Sequence, residues 1–217
     1  MRAAFYDRLG SAADVLTVGE QPTPEPGPGE VRVRLATSGV NPSDWKARAR
    51  GRGGVIPFPL IIPQSDGAGT IDAVGDGVDG GRVGRDVWLM NGQWQRPFGT
   101  AAEYICMPAK YVIDLPAGTD MAEAACFGIP FLTAHRAVMF DGDVSGQTIL
   151  VQGGAGAVGD HAVQVAKANG ARVITTVSSE EKADYVRQAG ADEVVNYRTE
   201  DVAAQILGMT DGKGGDR

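Results

Sequence analysis

Three glycines spaced G-x-G-x-x-G, Gly154, Gly156 and Gly159, lie in the stretch VQGGAGAVGDHAVQVAK, residues 151–167. They follow the apolar run Ile149–Gln152 and open a stretch with helical spacing. Backbone stripped of side chains at a strand-to-helix turn is suited to holding a diphosphate. The first glycine permits the sharp turn, the second lets the diphosphate reach the backbone, and the third lets the helix pack on the strand. The helix start adds unpaired N–H groups and partial positive charge. A tight turn with no ligand has the same spacing, and the surrounding β-α-β pattern is what points to a dinucleotide.

The next apolar strand ends in VITTVSSEEK. Sites for NAD carry Asp or Glu at this tip, about 20 residues after the glycines, to bind the ribose 2′-hydroxyl. Here the tip is Val177–Ser178–Ser179, neutral and hydroxyl-rich, with Lys182 one helical turn on and Arg172 before the strand. A neutral tip near a cation suits a 2′-phosphate and predicts NADPH as the cofactor. Glu180 and Glu181 argue the other way, unless they are first-turn carboxylates favoured by the helix dipole. Lys182 also fits a plain solvated surface charge.

The elements that must position these groups fall into two textures. Residues 1–120 read as β-rich. EVRVRLATSGV alternates apolar and polar after the PTPEPGPGE connector, and GAGTIDAVGDGV, GRDVWLM and TAAEYICMPA give further strands between Gly- and Pro-rich turns. A barrel-like domain is predicted. In residues 121–217 a helical run capped by Thr119 and broken at Pro130 comes first. Then TILVQG, RVITTV and EVVNY alternate with amphipathic helical stretches, with Gly170 and Gly190 closing two of them. That alternation predicts an α/β class with a doubly wound parallel sheet.

Composition is that of an ordinary globular chain, 43% apolar and 22% charged over 217 residues, with 31 glycines. A net charge of −7 argues against a nucleic-acid partner, which needs a basic face. No apolar run is long enough to cross a bilayer, and the N-terminus lacks signal-peptide character, so no membrane partner is expected. Cys106 and Cys126, with no C-x-x-C, read as two small buried hydrophobes in a reducing compartment, which points to a cytoplasmic location.

The stretch from Val151 to Asp201 resembles the cofactor half of the medium-chain dehydrogenase/reductase superfamily. PGPGEVRVRLATSGVNPSDWKAR, IPQSDGAGTIDAVGDGV, GTAAEYICMPA and PFLTAHRAV are similar to its GroES-like domain and hinge helix, and the nearest branch is the zeta-crystallin-like quinone oxidoreductases. The resemblance implies a GroES-like catalytic and substrate domain over 1–120. It implies the hinge helix and the first half of a Rossmann NADP-binding domain over 121–217. Zinc members carry Cys and His where this chain has Asn41 and Ser65, and a further Cys near Ile129, so a zinc-free member is implied, with no metal. His135 and His161 lie elsewhere and read as ordinary helix residues.

The implied activity is NADPH-dependent hydride transfer to a small-molecule quinone or α,β-unsaturated carbonyl (an enone), whose conjugation takes up the arriving charge without a Lewis acid. A zinc-free enoyl-thioester reductase and a non-catalytic, NADPH-binding or redox-sensing protein are the alternatives. By resemblance, Asn41 is the polar group near nicotinamide and substrate, and Thr133 contacts the nicotinamide side. Gly156, Ala157 and Val158 form the diphosphate turn. Ser178, Lys182 and Tyr197 meet the 2′-phosphate and ribose. Asn41 before Pro42 is equally an Asx turn, and Tyr197 equally a core aromatic. Related quinone reductases often carry tyrosine where Lys46 stands, which is either a proton donor or solvated. Trp88, Met90, Trp94 and Phe98 are either an apolar pocket wall or core.

The sequence stops at GMTDGKGGDR, a turn that leads toward a further strand. Only the first of two mononucleotide halves is visible. The resemblance puts the remaining sheet and the usual dimerisation strand in the missing part, so a homodimer is expected of the full-length protein. A chain complete at this length would leave its third strand as an exposed edge.

Overall fold

The computed structural model describes residues 1–51 and 53–217, which divide between Ile129 and Pro130 into two units. In the first, β1 (Arg2–Phe5) and β2 (Thr17–Glu20) pair antiparallel across the short helix α1 (Ala12–Val15). The predicted alternating strand is β3 (Glu30–Gly39), followed by helix α2 (Pro42–Arg50) and by β4 (Asp66–Val74), β5 (Asp86–Leu89), β6 (Tyr104–Pro108) and β7 (Val112–Asp114). These strands form one antiparallel sheet in the order β6-β3-β4-β5-β7. Because side chains alternate along a strand, Val31, Val33, Val87, Leu89, Ile105 and Met107 share one face, and all are buried. Each such burial contributes about 1.5–3 kcal/mol. Register shifts between Arg32 and Val33 and between Leu35 and Thr37 bend β3, as extra residues in a ladder do.

Helix α3 (Met121–Ala124) belongs to this first unit although the sequence groups it with the second half. Thr37 Oγ1 donates to Met121 O at 2.6 Å, and Ile129 N donates to Asp66 Oδ2 at 2.8 Å, which ties residues 121–129 to the β3–β4 pair. Its N-cap is Asp120 and not Thr119, because the Asp120 carboxylate accepts from Ala122 N and Glu123 N. Cys126, expected to be buried, is exposed just past this helix, where its thiol reaches back to Ala122 O. Cys106 is buried, and desolvation pushes its thiol up to about 12.

The second unit opens where Pro130 interrupts the regular helix, within a wide turn over Phe127–Phe131 that leads into α4 (Leu132–Met139). Then come β8 (Thr148–Val151), α5 (Ala157–Ala168), β9 (Arg172–Val177), α6 (Glu180–Gln188), β10 (Glu193–Asn196) and α7 (Val202–Met209). The strands are parallel in the order β10-β9-β8. Ile149, Val151 and Val173 pack with Val163 and Ala166 of α5 on one face. Ile174 and Val195 pack with Ile206 of α7 on the other, so helices cover both faces. On the flank of β8 away from β9, Leu150 N donates to Arg217 O at 2.8 Å and Asp216 N to Thr148 O at 2.7 Å. Among the described residues no helix is long and apolar enough to cross a membrane.

Candidate dinucleotide site and a buried carboxylate

The chain leaves β8 at Val151 and reverses through Gly153, whose φ of +70° favours glycine. The sharp turn is therefore made by Gly153, not by Gly154 as the motif suggests. Gly154 serves close approach instead: a Cβ there would overlap the Thr175 side chain on β9. Gly159, in the first turn of α5, lies so near Gly153 O and Gly154 Cα that a Cβ would overlap both. Gly156 is the N-cap of α5 and offers no capping side chain. The first-turn amides of Ala157, Val158 and Gly159 thus lack an intrahelical acceptor and face outward, available to an anion. The one acid of that turn, Asp160, accepts from Gln164 Nε2 at 2.8 Å.

Beside this turn lies a cavity of about 140 Å³ lined by Gly153, Ala155, Gly156, Thr176, Val177, Ser178, Lys182 and Tyr197. It brings together Gly156, Ser178, Lys182 and Tyr197 from the sequence-predicted set. Whole-ligand pockets run to about 300–1,000 Å³, so this cavity matches one end of a dinucleotide. Lys182 Nζ lies 3.2 Å from Ser178 Oγ, and Ser179 caps α6 by accepting from Lys182 N. Glu180 is engaged by Arg187 at 2.8 Å. The cation expected from Arg172 is not here: it starts β9, about 16 Å from the tip at 3.3 Å per residue, and its guanidinium binds Met209 O and Glu193. A glycine cradle, outward amides, a hydroxyl and a lysine fit the phosphate-bearing end of a dinucleotide.

Gly153 and Thr176 are the lining residues that the motif leaves out. The Gly-Gly doublet is the signal for Gly153. Thr176 has no comparable signal, since the neighbouring Thr175 puts the same side chain in the same strand. Thr133 is exposed near the start of α4. Phe131 meets both histidine rings, with centroids 6.1 Å from His135 and 5.7 Å from His161.

In the first unit Asn41, the N-cap of α2, is buried with Asp44 and Asp66. Asp44 Oδ2 accepts from Asn41 N at 2.8 Å, and Asn41 Nδ2 donates to Asp66 Oδ2 at 2.7 Å. Ile129 N donates to the same oxygen. Asp66 Oδ1 is buried without a hydrogen-bond partner among the described residues, and a Cβ on Gly128 would overlap it. Burial pushes the Asp66 carboxyl up to about 6, against the pull of the Ile129 and Asn41 donors, and the charge of Asp44 adds to the rise. Asn41 and Ile129 thus both donate to one carboxylate, and buried Ser65 precedes it in the chain. Lys46 is elsewhere: it is exposed, about 200° around α2 from Asp44, with Nζ 5.6 Å from the Trp45 ring centroid.

Trp88 packs edge-on to Phe127 at 5.8 Å, whereas Trp94 and Phe98 are exposed. Phe98 borders a larger apolar cavity of about 240 Å³ with Ile62, Tyr104 and Cys106. Its one guanidinium, Arg96, is already engaged by Cys106 O. The smaller cavity at the glycine turn has the free donors, so the anion chemistry is assigned there. Among the described residues no group of three or more His, Cys, Asp or Glu is arranged to hold a metal ion.

The family described as Alcohol dehydrogenase GroES-like domain matches residues 27–117, and that described as Zinc-binding dehydrogenase matches residues 157–217. The quinone oxidoreductase of Pseudomonas aeruginosa is 38% identical over 165 residues, which cover 75% of this chain and 50% of that protein. A solved NAD-dependent alcohol dehydrogenase is similar with a TM-score of 0.90 and 34% identity, covering 100% of this chain and 69% of its own. The Escherichia coli quinone oxidoreductase complexed with NADPH is similar with a TM-score of 0.82 and 26% identity, covering 98% of this chain and 64% of its own. The chain spans about half the length of the first curated relatives it matches. On these matches and on its two units, the chain belongs to the medium-chain dehydrogenase/reductase superfamily, in the branch of the quinone oxidoreductases.

Proposed function

We propose that the chain carries the cofactor site and part of the acceptor site of an NADPH-dependent oxidoreductase that reduces a quinone or an α,β-unsaturated carbonyl without a metal. The observation that carries this reading is the tip of β9. Among the described residues no carboxylate lines the cavity to accept from a ribose 2′-hydroxyl, and Lys182 Nζ and Ser178 Oγ converge there at 3.2 Å. A dianionic 2′-phosphate gains charge-assisted hydrogen bonds from both. The NADPH in the Escherichia coli relative agrees with this. The NAD dependence of the solved alcohol dehydrogenase belongs to that protein and does not alter the chemistry of this tip.

The metal-free part rests on donor chemistry. Asn41, Ser65 and Ile129 supply an amide, a hydroxyl and an alkyl group, whereas catalytic zinc takes thiolate, imidazole or carboxylate. Asp66 is a carboxylate, but N–H donors hold one oxygen and the other faces Gly128. The match to the zinc-named family covers 157–217 and includes none of these positions. Bound NADPH would supply the hydride, and a conjugated acceptor needs only placement and a proton. In this reading the turn Gly156–Val158 holds the diphosphate through the amides of Ala157 and Val158, the Gly156 amide being donated to Gly153 O, and Ser178, Lys182 and Tyr197 hold the 2′-phosphate and ribose. Thr133 serves the nicotinamide side, Asn41 orients the acceptor, and Lys46 is the candidate proton donor.

The test is a fluorescence titration with NADPH and NADH in parallel, for wild type and Lys182→Ala. NADPH should bind about tenfold more tightly than NADH, as one charge-assisted hydrogen bond of about 1.5 kcal/mol provides. Lys182→Ala should bring the two affinities together by weakening NADPH alone. Equal affinities in wild type would sink the cofactor assignment. NADPH oxidation by a quinone that stops on chelation and returns with zinc would sink the metal-free one.

A further inference from the structure

Thr176, 5% exposed, is the fifth residue of β9. Its hydroxyl oxygen accepts from Gly153 N at 3.0 Å, and its carbonyl accepts from Gly154 N at 3.1 Å. Two successive amides of the glycine turn are therefore anchored on one residue, at the point where the backbone enters its positive φ. The neighbouring Thr175 behaves in the opposite sense, its hydroxyl donating to Val151 O at 2.7 Å. The hydroxyl proton of Thr176 has no protein acceptor among the described residues, yet the residue lines the cavity with Gly156, Ser178 and Lys182. A nearly buried donor left unpaired is costly, and an incoming oxygen removes that cost.

We propose that Thr176 is a positioning residue for the dinucleotide, with two functions. Its two oxygens latch the glycine turn to β9, and its hydroxyl proton is donated to a ribose or diphosphate oxygen of the ligand. The second function rests on the cofactor reading above. The contact lies on the part shared by NADPH and NADH, so Thr176 contributes affinity and Lys182 contributes discrimination.

Thr176→Val keeps the β-branched shape that a buried strand favours and removes both hydroxyl functions. Thr176→Ser keeps the hydroxyl. In titrations, Thr176→Val should weaken NADPH and NADH by the same factor, about tenfold, and Thr176→Ser should stay within about twofold of wild type. In the ligand-free protein, hydrogen exchange at the Gly153 amide should be about tenfold faster in Thr176→Val and restored in Thr176→Ser. Unchanged affinity in Thr176→Val, or a loss confined to NADPH, overturns the donor function. Unchanged Gly153 exchange overturns the latch. A wild type that binds neither nucleotide sinks the cofactor reading and the donor function together, and the exchange measurement then decides the latch alone.

Discussion

Asp66 has no exposed surface, two N–H donors on one carboxylate oxygen and none on the other. Desolvation lifts its pKa from 3.8 to about 6, so the native state holds this proton more tightly than the unfolded chain does. The contribution to stability is fully present below pH 3.8 and is lost as pH rises through about 6. At 1.36 kcal/mol per unit, the loss comes to about 3 kcal/mol. Urea unfolding of wild type and Asp66→Asn at steps between about pH 4 and pH 7 reads it as a difference. Wild type should lose stability relative to the variant across that window, and a gap that stays constant with pH would refute the assignment. Buried Cys106 and exposed Cys126 show how little composition says at this scale. One residue type suggests one environment, and the chain gives it two.

At the scale of elements, glycine-to-alanine substitution separates two reasons for a glycine in a helix. Gly159 sits in α5 with Gly153 O in the place of a Cβ, and both the helix and the turn would have to shift. Gly159→Ala should cost about 2–3 kcal/mol as an overpacked contact and weaken dinucleotide binding. Gly208 in α7 has nothing within 4 Å of the place a methyl group would take, so Gly208→Ala should stabilise by about 0.5–1 kcal/mol through helix propensity. Thermal unfolding of the two variants side by side checks the sign of each. Much at this scale was legible in the sequence: the β-α-β alternation, the break at Pro130, and Gly170 and Gly190 at positive φ after α5 and α6 all follow from local pattern. The glycine turn, Ser178 and Lys182 were legible because a short motif encodes them. Thr176 and Asp66 were not, because their roles arise from partners 23 and 63 residues away, which no window of local spacing contains.

At the scale of the whole molecule, the two units differ in how far along the chain their contacts reach. Antiparallel neighbours in the first unit bring β3 against both β4 and β6, whereas the second unit is built from successive crossovers. The final residues lie along β8 on the flank away from β9, so β8 is bonded on both sides. Loop-closure entropy makes those two sides unequal in time. Thr148 pairs with Arg172 across 24 residues of chain and with Asp216 across 68. The longer closure costs about 1 kcal/mol more, from three-halves RT times the logarithm of the length ratio. The β8–β9 side should therefore close first. In pulse-labelled refolding the Arg172 amide, bonded to Gln147 O, gains protection before the Leu150 amide, bonded to Arg217 O. Simultaneous protection would mean that the sheet forms as one event. The strand that carries the glycine turn is then closed early on one edge and late on the other.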